Sequence, residues 1–140
     1  MNTNLAKAKK IFFDTGATCV LCRGKSRCES SLRGVMPLVD LLDTGMDFSG
    51  YAAADKVVGK ATAFLYCLLG IAAVYTPVIS KAALDVLEKN GIEAEYDLCV
   101  PAILNRRKDG FCPMETATKH IDDPEEAFEA IRRTLEKLQG

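Results

Sequence analysis

The sequence predicts an α/β fold, a three-layer α/β/α sandwich around a mixed sheet that opens with an N-terminal hairpin. Three observations carry that expectation. Residues 18–23 and 26–32 are short strand-like runs on either side of Gly24-Lys25, a two-residue hairpin signal. Residues 71–76 form an apolar run of the kind buried on both faces in a parallel sheet. Residues 93–100 alternate Ala94, Tyr96, Leu98 and Val100 against Glu93, Glu95 and Asp97, the pattern of a strand with one solvated face. A helix separates these last two strands, so they are expected to pair in parallel through a right-handed crossover.

The remaining elements follow in order. Residues 4–14 read as a helix with Leu5, Ala8 and Phe12 on one side, stopped by Gly16. Residues 35–43 form a short helix with Pro37 in its first turn and Leu38, Leu41 and Leu42 on its apolar face. Residues 44–53 read as a loop of small residues. Residues 55–69 are expected to be the central helix, with Asp55 meeting the free amides of its first turn and Val57, Ala61, Phe64, Leu65 and Leu68 at helical spacing. Pro77 is expected to break the strand at 71–76, after which Ser80 caps a helix over 81–90, closed by Gly91. Asp123-Pro124-Glu125-Glu126 starts the last helix, turned inward by Phe128, Ile131, Leu135 and Leu138.

A length of 140 residues suits one domain spanning 1–140, with 49% apolar and 26% charged residues. A net charge of -1 gives no electrostatic reason to expect nucleic acid or an anionic membrane as a partner. The first ten residues lack the apolar core of a signal peptide, and the apolar stretch at 61–75 is too short and interrupted to span a bilayer. The expectation is a cytoplasmic protein, with association into a homo-oligomer left open. Its six cysteines read as reduced thiols. Cys19-Val20-Leu21-Cys22 with Cys28 has knuckle-like spacing, but His120, the single histidine, lies far away in sequence, so no metal or other cofactor is expected.

The chemically richest segment is 101–115, which gathers Asn105, Arg106, Asp109, Cys112 and Glu115 behind the strand at 93–100. Polar segments at the C-terminal ends of strands are where open α/β sheets place ligands. Arg106 offers a fork for phosphate or carboxylate, and Asn105 can both donate and accept. Cys112 reads either as a nucleophile with a lowered pKa or as a buried, inert thiol.

Three segments resemble a small bacterial and archaeal family of unknown function with a cytidine-deaminase-like fold. They are Gly34-Val35-Met36-Pro37-Leu38, Ala54-Asp55-Lys56 through Lys60-Ala61, and Asn105-Arg106 through Gly110-Phe111-Cys112-Pro113-Met114-Glu115. Deaminases of that superfamily hold zinc with His/Cys-Ala-Glu and Pro-Cys-x-x-Cys at the starts of two helices. The corresponding stretches here read Ala53-Ala54-Asp55 and Pro77-Val78-Ile79-Ser80-Lys81, so Ala53, Val78 and Lys81 occupy the ligand positions. The resemblance therefore implies a deaminase scaffold without zinc and without deamination. It also implies one cleft gathering Asp55, Lys56, Thr76, Asn105, Arg106, Cys112 and Glu115, with Lys56 and Lys60 a turn apart on the central helix. Two function classes follow. One is a module binding a nucleotide-like or other anionic small molecule; the other is an enzyme with metal-independent chemistry, using Asp55 or Glu115 as acid/base and Cys112 as nucleophile.

Overall fold

The computed structural model describes residues 2–104, 110 and 112–139. Helix α1 (Thr3–Thr15) is capped by the Asn2 side chain, which accepts from the Leu5 amide at 2.9 Å, and it buries Leu5, Ala8, Ile11 and Phe12. Strands β1 (Cys19–Arg23) and β2 (Ser26–Ser30) form the expected antiparallel hairpin, with Arg23 opposite Ser26. Gly24 supplies the positive φ of 59° that this two-residue turn requires. Helix α2 (Met36–Thr44) follows, with Pro37 in its first turn and Leu38 and Val39 buried.

The main departure from expectation comes next. The central helix does not begin at Asp55. Instead Ala52–Asp55 is strand β3, Val57–Val58 is strand β4, and helix α3 runs Lys60–Leu69. Ladder pairing satisfies this backbone on both sides: Ala52, Ala53 and Ala54 pair with Ala73, Val74 and Tyr75, and the same segment lies antiparallel to β1. That outcompetes a helix cap at Asp55. The cap of α3 is Gly59, in extended conformation.

Pro77 does not break its strand either. Strand β5 runs Ala73–Ser80, pairing with β3 before the proline and with β4 after it. A missing amide is tolerated because the neighbouring strand is itself interrupted at Lys56, whose amide donates to the Thr18 carbonyl at 3.0 Å. Ser80 then caps helix α4 (Lys81–Lys89) by accepting from the Ala83 amide at 3.1 Å. Strand β6 (Glu93–Val100) pairs with β5 in parallel, as the crossover implies. The chain ends with a short helix α5 (Pro113–Thr118), in place of the loop expected there, and helix α6 (Pro124–Gln139).

Among the described residues, six strands form one mixed sheet with six helices around it. The hairpin strands β2 and β1 lie at one side; β3 and β4 share one edge of β5, and β6 takes the other. One face packs on α1 through Val20, Cys22, Ala52, Ala54, Ala73 and Tyr75. The other carries the larger core of α2 to α6, centred on Leu38, Phe64, Leu65, Tyr66 and Ile131. Cys19 and Cys22 belong to opposite faces, so they cannot grip one ion together.

Two details correct the sequence reading. Strand β6 is exposed along most of its length, with Tyr96 at 40% and Leu98 at 55%, because it is a sheet edge packed, among the described residues, mainly against α4. Leu138 is 62% exposed, beyond the reach of the core that buries Ala127, Ala130 and Ile131 of the same helix. No helix among the described residues is long and apolar enough to cross a membrane.

Candidate functional site

Where β3 gives way to β4, the chain leaves Asp55 at the end of a buried strand, facing Cys19 across the antiparallel ladder. Asp55 is only 8% exposed. A buried carboxyl needs donors, and the helix behind supplies one. The Tyr66 hydroxyl donates to Asp55 Oδ2 at 2.6 Å, and Cys19 Sγ lies 3.5 Å from the same hydroxyl. Tyr66 itself is wholly buried in α3. The three side chains form one polar column inside the larger core.

Burial dominates its electrostatics. It pushes the Asp55 carboxyl up to about 7, against the opposing pull of the Tyr66 hydrogen bond and of the Val57 and Lys56 amides. Burial, reinforced by the Asp55 charge, likewise drives the Tyr66 hydroxyl and the Cys19 thiol well above their ordinary values. Cys19 is thus held as a thiol, and Asp55 exchanges its proton near neutrality.

A cavity of about 360 Å³ opens beside this column. Asp55 and Cys19 belong to its wall; Lys56 and Arg33, both exposed, bring the cations; Cys112, Met114 and Glu115 close it from the α5 side. Glu115 has a specific structural task. Its Oε1 accepts from the Lys60 amide at 2.5 Å, capping α3 from across the fold. Gly59 makes that approach feasible, since a Cβ there would stand 2.1 Å from the same oxygen. Burial raises the Glu115 pKa, opposed by the Lys60 amide and charge.

The structure therefore brings together Asp55, Lys56, Cys112 and Glu115 of the residues singled out in the sequence. Thr76 is buried elsewhere, its hydroxyl donating to the Val78 carbonyl at 3.0 Å where Pro77 interrupts the ladder. Asn105 and Arg106 lie outside the described residues, as do Arg107, Lys108, Asp109 and Phe111. Lys56 and Lys60 are not a turn apart on one helix; Lys56 sits between two strands, and Lys60 opens α3 with its ammonium donating to the Lys119 carbonyl at 3.0 Å. The α3 N-terminus is not free for an anion either, because Glu115 occupies it.

Arg33 and Tyr66 were missed in the sequence, and Cys19 was weighed there only as part of a metal knuckle. A tyrosine inside a mostly apolar helix was the available signal, since its hydroxyl demands a partner once buried. Arg33 directly precedes the Gly34-Val35-Met36-Pro37 motif but stands in no periodic pattern.

The zinc implied by the deaminase superfamily does not fit. The true starts of the two helices read Gly59-Lys60-Ala61 and Ser80-Lys81-Ala82, which carry no thiol, imidazole or carboxylate. Among the described residues no cluster of three or more His, Cys, Asp or Glu side chains is placed to hold a metal ion.

Comparison with known proteins agrees with the architecture. Residues 7–135 match the family model described as a domain of unknown function, DUF1893. The crystal structure of a DUF1893 family protein from Thermotoga maritima is similar at 30% identity and a TM-score of 0.87, over 95% of this chain and 91% of that one. No curated protein matches. The chain belongs to the DUF1893 family.

Proposed function

We propose that this chain is a cytoplasmic, cytidine-deaminase-like domain that binds a nucleotide-like or other anionic small molecule without deaminating it. The fold assignment is supported by the strand arrangement, in which β1 is antiparallel to its neighbours while β3, β5 and β6 run in parallel through helical crossovers. The loss of deamination is supported by the residue types at both helix starts, which offer no zinc ligand to activate water.

One observation carries the binding reading. A single cavity of about 360 Å³ combines a buried carboxyl, Asp55, with two exposed cations, Arg33 and Lys56. That volume suits a small ligand, and its few polar groups converge within an otherwise apolar wall. The cations at the mouth favour a phosphate or carboxylate. The test is a thermal-shift panel of nucleotides and phosphorylated metabolites on wild type, Arg33→Ala and Lys56→Ala. Stabilisation of wild type that is lost in either variant is expected. Absence of any wild-type response, or equal responses in all three proteins, contradicts the reading.

A second reading rests on the two carboxyls. Burial raises the pKa of both Asp55 and Glu115, and both line the same cavity, as a metal-independent acid/base enzyme would arrange them. Cys112 in the same wall is then the candidate nucleophile. Turnover abolished by Asp55→Asn or by thiol alkylation supports the enzyme; ligand-induced stabilisation without turnover supports the binding module.

A further inference from the structure

We propose that the end of the ligand entering this cavity carries an amidinium- or guanidinium-type N–H edge, and that Asp55 is its partner. The inference rests on reading the cavity as a ligand site and adds the polarity of the molecule within it. Asp55 is buried, lines the cavity and takes part in no ion pair among the described residues. Buried charges are normally paired or neutralised by a proton, so a buried carboxyl that meets no cation among the described residues holds its proton in the empty cavity and can give it up to a cation that enters. Tyr66 donates to Oδ2 and the Val57 and Lys56 amides act on the same carboxyl, fixing it in place; a carboxylate's four lone-pair positions still leave room for a donor from the cavity.

Charge is distributed unevenly through the cavity. The floor carries Asp55, with the hydroxyl of Tyr66 from α3 and the thiol of Cys19 from β1 behind it. The mouth carries Arg33 and Lys56, both exposed. On the α5 side stand Cys112 and Glu115, and the Glu115 carboxylate is engaged by the Lys60 amide. A ligand that is cationic at its inner end and anionic at its outer end matches this order; one anionic throughout does not.

Three probes that share one ring separate the cases: benzamidine (cationic), benzamide (neutral) and benzoate (anionic). Each is titrated into wild type and Asp55→Asn by calorimetry, and amide NMR shifts at Cys19, Lys56 and Tyr66 locate binding in the wild type. Benzamidine is expected to bind most tightly, with affinity rising roughly tenfold per pH unit up to the point where Asp55 is ionised and level above it. Asp55→Asn is expected to weaken it by at least about tenfold and to flatten that pH profile. Equal or tighter binding of benzamide or benzoate overturns the proposal, as does benzamidine binding that Asp55→Asn leaves unchanged. If none of the three binds, the proposal fails while the nucleotide panel still decides the parent reading. Benzoate binding lost in Arg33→Ala, without benzamidine binding, sinks this inference and keeps the anion site.

Discussion

Two tyrosine–aspartate pairs in this molecule share one geometry and differ in everything around it. Tyr66 donates to Asp55 at 2.6 Å, and Tyr75 donates to Asp97 at 2.6 Å. The first pair lies inside the larger core beside the cavity. The second joins the α1 face to the exposed edge strand β6, with Lys9 4.5 Å above the Tyr75 ring. Asp97 keeps its contact with water, whereas Asp55 has been taken from it. At Asp55 burial raises the carboxyl while the Tyr66 hydrogen bond pulls it down, so burial rather than the bond gives Asp55 its proton exchange near neutrality. Tyr75 agrees, because its hydroxyl is pushed up to about 12 by burial first and by Asp97 second.

The largest effect that sharpens this comparison is the pH dependence of stability. Asp55 holds its proton up to about 7 in the folded chain against an ordinary 3.8. The stabilisation this gives is complete below the ordinary value and is lost as pH rises through about 7. The difference between those two values corresponds to a loss of about 4 kcal/mol as an upper figure. Asp55→Asn should flatten that slope. Denaturation midpoints across the pH range decide the matter; a slope surviving in Asp55→Asn would place its origin elsewhere.

Removing the hydroxyls comes next. Tyr66→Phe leaves a buried carboxyl oxygen without its donor and should cost ~1–3 kcal/mol, most of it above neutral pH. Tyr75→Phe leaves an oxygen that water can reach, and should cost ~1 kcal/mol or less. Equal costs would mean that the two environments are not as different as their burial implies.

The cross-fold cap gives a smaller effect than loss of the Tyr66 hydroxyl. Gly59→Ala must displace the Glu115 carboxylate from the Lys60 amide and should cost ~0.5–2 kcal/mol. Glu115→Ala added to Gly59→Ala should then cost little more, because both remove one interaction. Full additivity in that cycle would show that the cap contributes nothing to holding α5 against α3.

Patterned segments were legible in the sequence. Gly24-Lys25 located the hairpin, Ser80 and the Asp123-Pro124 pair located helix starts, and the crossover rule placed β6 beside β5. Unpatterned ones were not. Ala52, Ala53 and Ala54 have low strand propensity and become a strand only because β1 and β5 flank them. Pro77 marks a strand end unless the partner strand is known to be interrupted opposite it. The family resemblance gathered Asp55, Lys56, Cys112 and Glu115 into one cleft; all four line one cavity, but their roles depend on tertiary neighbours. Asp55 was expected as a helix cap and faces a tyrosine instead; Glu115, expected at the cleft, also performs the capping.

Everything proposed for this cavity depends on Asp55 being its buried, ionisable floor. Its side-chain carboxyl carbon, followed by NMR through a pH titration of the wild-type protein, tests this most directly. A midpoint at about 7 is the expected result. A midpoint near ~4, in the ordinary carboxylate range, would mean that water reaches the group, and would contradict the buried carboxyl on which the site has been built.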